Sequence, residues 1–318
     1  MSTNNSDMND KYGKVAVMMG GFSAEREISL LSGGAVIKAL KNNGVDAIAF
    51  DPKEESLSNL KTKKITRVWN ALHGRGGEDG QIQGYLQMES IAYTGCGVMA
   101  SALAMDKLRT KLVWQALKLP VAKHAMVATG NISESYAEEL LNSLNGCVMV
   151  KPIREGSSVG MAKAKTVGEL QTAVAAASEF DHEIMLEQWI DGDEFTVTIL
   201  NGKALPSIRM ETPNTFYDFS AKYESDTTEY HCPSGLSDKE ESELAAISEQ
   251  AFTAINAHGW SRVDFLRDKK TKQWYLLEIN TVPGMTESSL VPKAAEVAGM
   301  NFEDLVMKVL DTSFIENR

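Results

Sequence analysis

Two short segments near the C-terminal end of the chain alternate polar and apolar side chains, as β-strands do. Successive side chains of a strand point to opposite faces, so Arg262 and Asp264 share one face of the first segment. Glu278 and Asn280 share one face of the second segment. Because buried charge is costly unless it is paired, these polar rows predict a cleft lined with partners. Three hard oxygen donors beside an arginine indicate magnesium and phosphate.

The polar rows also have a purely structural interpretation, in which Arg262 forms salt bridges with Asp264 and Glu278 inside a solvated sheet. The segment that follows them favours a functional site. Residues 280–286 leave the strand through a Pro-Gly turn, and α/β proteins commonly place their chemistry on loops at strand ends. In that turn, Gly284 lets the backbone approach a ligand and offers an N–H to a developing negative charge.

The N-terminal third alternates short apolar strands with amphipathic helices. Residues 14–19 predict a strand that runs through two glycines into a helix over residues 24–40. Residues 65–72 predict the next strand, which leads through the glycine-rich loop 73–80 into another helix. This alternation predicts an open parallel sheet with helices on its faces.

The rest of the chain divides into two further units. A helix over residues 101–117 begins the second, whose two strands and two helices suit a small α+β domain. Strands dominate from residue 183 onward, and residues 211–234 lack periodicity, which is typical of a lid or of disorder. We expect a disordered tail at residues 1–10, an N-terminal α/β substrate domain at 11–102, a small central domain at 103–186, and a C-terminal domain with the metal site and the lid at 187–318.

Composition narrows the function classes. The 318 residues are 43% hydrophobic and 24% charged, which fits an ordinary globular protein of two or three domains. The net charge of -11 argues against broad binding to nucleic acid or to an anionic membrane. The three cysteines lack metal-type spacing, and the first ten residues lack the apolar core of a signal peptide. We expect a cytoplasmic protein with reduced thiols and with neither nucleic acid nor membrane as partner.

Two lysines are candidate phosphate ligands. Lys151 ends a predicted strand and precedes a Gly-Ser-Ser loop whose N–H groups can cradle phosphate oxygens, although the order of its glycines is not that of a Walker A loop. A solvated hairpin turn explains the same segment. Lys107 fits either a second phosphate contact or an ordinary exposed helix lysine.

Other candidates likewise have two interpretations. Residues 187–190, followed by Glu194, fit either a strand edge presented to adenine and ribose or a core strand with exposed glutamates. Glu25 starts a predicted helix, where it offsets the helix dipole or, if it faces the cleft, binds a substrate ammonium group. His73 lies in a glycine-rich turn, where packing is a commoner role for histidine than direct proton transfer.

Taken together, the chain resembles the D-alanine:D-alanine ligase family of ATP-grasp enzymes along almost its whole length from residue 14. The resemblance implies an α/β and α+β, three-domain ATP-grasp fold with an N-terminal parallel-sheet (pre-ATP-grasp) domain. ATP would lie between the central and C-terminal sheets, with the substrates facing the N-terminal domain. The segments that carry the resemblance are residues 20–27, 71–80, 105–107, 151–160, 215–223, 262–264 and 277–290.

The resemblance also implies roles for individual residues. ATP would be bound by Lys107, Lys151, Glu187, Trp189, Ile190, Glu194 and Lys222. Two Mg²⁺ ions, or Mn²⁺, would be held by Asp264, Glu278 and Asn280, with Glu278 bridging. The catalytic residues would be Glu25, Ser157, Tyr223, Arg262, Gly284 and Ser289. The substrates would be bound by Glu25, His73, Arg262, Gly284, Ser289 and Leu290.

The implied reaction is ATP-dependent ligation of two D-alanine molecules through an acyl phosphate, releasing ADP and phosphate, for bacterial peptidoglycan precursor synthesis by a cytoplasmic homodimer. Glu25 would hold the first ammonium group and Ser289 the second carboxylate, while Ser157 and Tyr223 would join the lid to the site. One departure is Ser288, where the family carries histidine. A ligase for D-lactate or D-serine and a nucleotide-binding module without turnover are the alternatives, although no metal or oxyanion residue is missing.

Overall fold

The computed structural model describes residues 5–128, 130–156, 158–211 and 228–314. It begins with a helix, α1 (Asn5–Tyr12), where the sequence predicts a disordered tail. The end of this helix is anchored to the far end of the chain, because Lys11 Nζ and Tyr12 Oη both lie 2.8 Å from Asp311 Oδ1. The Tyr12 ring is buried 5.7 Å from the Phe314 ring. A polar segment is therefore ordered by a contact that spans some 300 positions of sequence.

A four-stranded sheet follows, in the order β2-β1-β3-β4. It is parallel, as the sequence predicts. Two of its strands are too short to be recognised from periodicity. The strands are β1 (Val15–Met18), β2 (Ala47–Phe50), β3 (Arg67–Asn70) and β4 (Ala92–Tyr93), with helices α2 (Arg26–Asn42), α3 (Asn59–Thr62) and α4 (Gln81–Met88).

The predicted helix over residues 101–117 is in fact two helices, α5 (Val98–Met105) and α6 (Lys107–Ala116). Asp106 has an extended backbone conformation between them, and its side chain accepts a hydrogen bond from Arg109 N. This is an N-cap, which begins a new helix rather than continuing the old one.

The central sheet is antiparallel, in the order β5-β8-β6-β7, and has four strands where the sequence predicts two. Two helices cover it and share its apolar core. The elements are β5 (His124–Ala128), α7 (Glu134–Ser143), β6 (Val148–Pro152), β7 (Ala162–Ala164), α8 (Val167–Ala177) and β8 (Glu183–Gln188).

The last sheet is antiparallel and carries the two polar rows. Arg262 lies opposite Asn280 and Asp264 opposite Glu278, while Val263 and Ile279 are buried between them, so the predicted alternation is confirmed. The order is β12-β11-β9-β13-β14, with β10 paired to β9. The strands are β9 (Gly192–Leu200), β10 (Lys203–Ala204), β11 (Ile208–Glu211), β12 (Glu229–His231), β13 (Trp260–Asp268) and β14 (Trp274–Asn280). The helices are α9 (Asp238–Ala254), α10 (Leu290–Val297), α11 (Phe302–Asp311) and the 3₁₀ turn Thr312–Phe314.

Apolar contacts join the sheets. The rings of Trp69 on β3 and Trp260 on β13 are 5.5 Å apart, in a core shared with α11. Trp114 on α6 is fully buried in the core of the last sheet and donates from Nε1 to Ala251 O at 3.0 Å. Within the described ranges, no helix is long and apolar enough to cross a membrane.

Candidate active site

Two cavities meet where the three sheets converge, and Lys107 and Glu278 line both. The larger, of about 630 Å³, includes the predicted site residues Glu25, His73, Arg262, Asn280, Gly284, Ser289 and Leu290. The smaller, of about 350 Å³, includes Lys151, Glu187, Trp189, Ile190, Glu194 and Asp264. Every predicted site residue that the structure describes therefore lines one of them. Ser157, Lys222, Tyr223 and most of the predicted lid lie outside the described residues.

The polar rows converge on the carboxylate of Asp264, which is 7% exposed. Thr196 Oγ1 donates to its Oδ1 at 2.6 Å, and Asn280 Nδ2 donates to its Oδ2 at 3.0 Å. Arg262 donates from Nε and Nη2 to both carboxylate oxygens, at 2.9 and 2.7 Å. Of the two salt bridges that the structural interpretation predicts for Arg262, the one with Asp264 is therefore present.

Glu278 lies directly across the ladder from Asp264, and its Oε2 lies 3.4 Å from Lys107 Nζ. Lys107 is the first residue of α6, where the helix dipole disfavours a cation. Its ammonium also donates to Glu155 O at 2.6 Å, in the loop after β6. A lysine held there against the dipole indicates a requirement for positive charge in the cleft.

A buried charge cluster forms one wall of the smaller cavity. The carboxylate of Glu187, 3% exposed, lies 2.5 Å from Lys151 Nζ and 2.6 Å from Lys111 Nζ. Burial by itself raises the pKa of Glu187, but the two ammonium groups outweigh it and lower this pKa to about 2. Burial lowers the pKa of Lys111, and the neighbouring Lys151 ammonium lowers it further, while the Glu187 carboxylate offsets this only in part.

At the outer end of the same cavity, the Lys163 ammonium lies 3.4 Å from the centroid of the Trp189 ring. A cation over an indole face is an attractive arrangement. The contact holds the Trp189 side chain against β7, while the segment after β8 lines the cavity.

In the larger cavity, Glu25 is the N-cap residue of α2 and lies between two glycine loops. A Cβ on Gly74 would approach its Oε2 to 2.9 Å, and a Cβ on Gly156 would approach it to 3.4 Å. Gly74 also has a φ of +71°, a conformation that favours glycine. Close approach by both loops thus encloses the Glu25 carboxylate.

Both ring nitrogens of His73 are engaged. Nδ1 lies 2.8 Å from Val282 O and therefore carries a proton, and Nε2 lies 3.3 Å from Ser32 Oγ, which accepts from Met285 N–H. Burial lowers the pKa of His73, but the Glu78 carboxylate, 3.7 Å away, more than offsets this and raises it. These contacts fix the turn after β14 against α2, which fits the packing role better than direct proton transfer.

The turn after β14 leads into the N-terminus of α10. Ser289 Oγ accepts from Thr286 N–H at 3.0 Å, and Leu290 is the first helical residue. A Cβ on Gly284 would lie 3.1 Å from Ser289 Oγ, so a glycine keeps this edge of the cavity open. Among the described residues, the Gly284 N–H has no acceptor. The turn thus offers backbone donors to an anionic group.

Sequence reasoning missed four residues of the site: Ser32, Glu78, Lys111 and Thr196. Lys111 had a usable signal, because it lies one helical turn after Lys107 and so shares its face. The other three carry no local signal. Ser32 and Glu78 both contact His73, and Thr196 contacts Asp264. These partners come from distant parts of the chain or from across a loop.

Comparison with known proteins gives a consistent result. The sequence matches the models described as D-ala D-ala ligase C-terminus, over residues 113–311, and D-ala D-ala ligase N-terminus, over residues 50–96. A D-alanine–D-alanine ligase of Idiomarina loihiensis is 52% identical over 299 residues, which cover 94% of this chain and 96% of that protein.

Solved structures agree. The D-alanine–D-alanine ligase of Bacillus anthracis, solved in complex with ATP, has a TM-score of 0.82 at 28% identity and covers 94% of this chain and 97% of its own. The VanG D-Ala:D-Ser ligase of Enterococcus faecalis has a TM-score of 0.79 at 25% identity, with coverages of 94% and 99%. The resemblance seen in the sequence is confirmed, and the chain belongs to the D-alanine–D-alanine ligase family.

Proposed function

We propose that this protein joins two molecules of D-alanine into D-alanyl-D-alanine at the expense of ATP, releasing ADP and phosphate. The observation that carries the proposal is the meeting of the two cavities at Lys107 and Glu278. A nucleotide in the smaller cavity and an amino acid in the larger would meet at this point. Phosphoryl transfer between them requires this proximity.

The nucleotide would occupy the smaller cavity, with Lys107 and Lys151 directed at its phosphates. Adenine and ribose would lie against Trp189 and Ile190, in the connection between β8 and β9, and against Glu194 on β9. Lys222 belongs to the same proposal from sequence alone. Backbone groups and a few placed polar side chains on an otherwise apolar wall are typical of such sites.

Asp264, Glu278 and Asn280 fit a site for two Mg²⁺ ions, with Mn²⁺ as a substitute. They supply hard oxygen donors from facing positions on β13 and β14, and Arg262 and Lys107 already offset their charge. The Asn280 amide now donates to Asp264, so it would turn to present its oxygen. Bound there, the ions would neutralise charge on the ATP phosphates.

In the first step, the Glu25 carboxylate would hold the ammonium group of one D-alanine. The carboxylate of that D-alanine would attack the γ-phosphorus of ATP, forming an acyl phosphate and releasing ADP. Lys107, at the junction of the cavities, would offset the charge that moves between them. Ser157 and Tyr223 would link the lid to Glu25, and closure would keep water from the acyl phosphate.

In the second step, Ser289 and the N-terminus of α10 would receive the carboxylate of the other D-alanine, against Leu290. Its amine would attack the activated carbonyl, and phosphate would leave from the tetrahedral intermediate. The oxyanion would be stabilised by the Gly284 N–H and by the guanidinium of Arg262, which lines the same cavity. His73 would hold the Gly284 turn in place.

The test is to incubate the protein with ATP, Mg²⁺ and D-alanine and to measure phosphate and dipeptide. Phosphate and D-alanyl-D-alanine in equal amounts are expected. Added D-lactate or D-serine should remain a minor acceptor, as read by mass spectrometry. A mixed product in excess would favour the other acceptor, and ATP binding without phosphate release would favour a nucleotide-binding module.

We also propose that the protein works as a homodimer in the cytoplasm, in peptidoglycan precursor synthesis, and that the three-domain division predicted from the sequence describes its moving parts. The three sheets support the division into domains, and the three free cysteines are compatible with the cytoplasm. Light scattering after size exclusion should give twice the mass of one 34.8 kDa chain.

A further inference from the structure

Lys111 is the most completely buried charged side chain among the described residues, with 0% of it exposed. It lies on α6, one turn after Lys107. Its Nζ donates to Leu276 O at 2.7 Å and lies 2.6 Å from Glu187 Oε1. The other carboxylate oxygen of Glu187 lies 2.5 Å from Lys151 Nζ. One buried carboxylate is thus shared by two ammonium groups.

This arrangement is costly if it only holds the fold together. A buried lysine usually contributes less to stability than an apolar side chain of similar size, because its desolvation penalty exceeds the Coulombic gain. Glu187 compensates one positive charge, and the pair of lysines supplies two. Of these two lysines, Lys151 lines the smaller cavity, whereas Lys111 is fully buried behind it.

Lys111 also determines which way the Glu187 carboxylate points. Oε1 forms an ion pair with Lys111, and Oε2 accepts a hydrogen bond from Lys151 at 2.5 Å. The charge of Lys111 beside Oε1 favours the orientation in which Oε2 faces Lys151. The Lys151 ammonium is thereby held at the cavity wall before any phosphate arrives.

The contact with Leu276 extends this network to the strand of the proposed metal site. β14 is the edge strand of the last sheet, and Leu276 N–H bonds outward to Pro120 O at 2.8 Å. The Lys111 ammonium donates to the carbonyl of the same residue. It thereby joins α6, β8 and β14 in one place.

We propose that Lys111 is a positioning residue for the nucleotide: it fixes the Glu187 carboxylate, which holds Lys151 in place for the phosphates, and it ties that assembly to the strand that carries Glu278. The proposal rests on the function proposed above and adds to it a residue that touches no substrate. It predicts an effect on ATP that exceeds any effect on D-alanine.

The test compares the full-length wild type with Lys111→Met and Lys111→Gln. Methionine removes the charge and the donor to Leu276 O, whereas glutamine removes the charge and keeps a donor. For both, KM for ATP should rise on the order of tenfold or more, because displacing a positioning group loosens the group it holds. KM for D-alanine should stay within about twofold. Calorimetry with a non-hydrolysable ATP analogue should show the same loss of affinity.

Thr110→Val is the matched control, because Thr110 is buried on the same helix and donates to Leu103 O, away from Glu187. It should leave KM for ATP unchanged even if it lowers the melting temperature. In a Glu187→Gln background, Lys111→Met should add no more than about a twofold change, since the two residues act as a unit. Additive effects would overturn the proposal.

The proposal is also overturned if KM for ATP stays within twofold of wild type in both lysine variants, or if Thr110→Val raises it equally. Failure of the wild type to form dipeptide would instead count against the proposed function. The calorimetric comparison needs no turnover, so it tests the role of Lys111 separately.

Discussion

Lys107 Nζ lies 3.4 Å from Glu278 Oε2, and these are the two residues that line both cavities. The contact joins the start of α6, the helix that carries Lys107 and Lys111, to the end of β14, the strand that carries Glu278 and Asn280. A charged group in one cavity therefore interacts at short range with charged groups in the other. In a partly buried setting such an interaction is screened far less than at the surface.

Removing an oxygen donor from the polar rows should abolish most turnover without unfolding the protein. Asp264→Asn or Glu278→Gln is expected to lower the rate of phosphate release on the order of 100-fold or more, with a raised requirement for Mg²⁺. The measurement is turnover across a Mg²⁺ titration, together with the melting temperature.

Asp268→Asn is the control for these two variants, because Asp268 lies on β13 with Asp264 but its carboxylate caps the following turn. It should keep near-normal turnover. A near-normal rate in Asp264→Asn or Glu278→Gln would contradict the metal assignment.

Arg262→Lys should reduce kcat strongly while leaving KM for ATP nearly unchanged. Lysine keeps the charge but loses the planar fork that contacts both oxygens of Asp264. Loss of one oxyanion donor costs on the order of 100- to 1,000-fold in kcat. Steady-state kinetics decide the point: a variant that changes only the melting temperature would leave Arg262 as a structural ion-pair partner.

The residues with proposed chemical roles were easier to predict from the sequence than the residues that hold them in position. The faces of Arg262, Asp264, Glu278 and Asn280 follow from strand periodicity, and the register places them opposite each other. The order of turn and strand segments along the chain predicted the N-terminal parallel sheet.

The supports were not predictable because they depend on contacts distant in sequence. The spacing of Lys111 after Lys107 predicts a shared helix face, but its full burial appears only when β8 and β14 bring Glu187 and Leu276 to it. The helix at residues 5–12 depends likewise on Asp311. In both cases the local pattern is polar or neutral, and tertiary contact determines the structure.

Gly74→Ala should weaken binding of the first D-alanine. The φ of Gly74 is +71°, and an added Cβ would lie 2.9 Å from Glu25 Oε2, so the carboxylate or the loop must shift. Backbone strain of this kind costs about 1–2 kcal/mol, and the shift should raise KM for D-alanine by about tenfold.

Gly34→Ala is the control, because nothing lies within 4 Å of its Cβ position and alanine favours a helix. Equal KM values in the two variants would argue against enclosure of Glu25 by this loop.

The stability of the protein should fall in acid partly through Glu187. Its pKa of about 2 in the folded state lies below the value of 4.5 for the free side chain. Between these values the unfolded chain binds a proton that the folded chain does not, so this contribution is complete above pH 4.5 and is lost as the pH falls toward 2. The full contribution is about 3 kcal/mol, of which about 2 kcal/mol should be lost by pH 3.

Glu187→Gln lacks this titration. The difference in unfolding free energy between wild type and variant, measured in urea, should therefore shrink by that amount between pH 6 and pH 3. A difference that stays constant over this interval would show that the two lysines do not hold the carboxylate ionised.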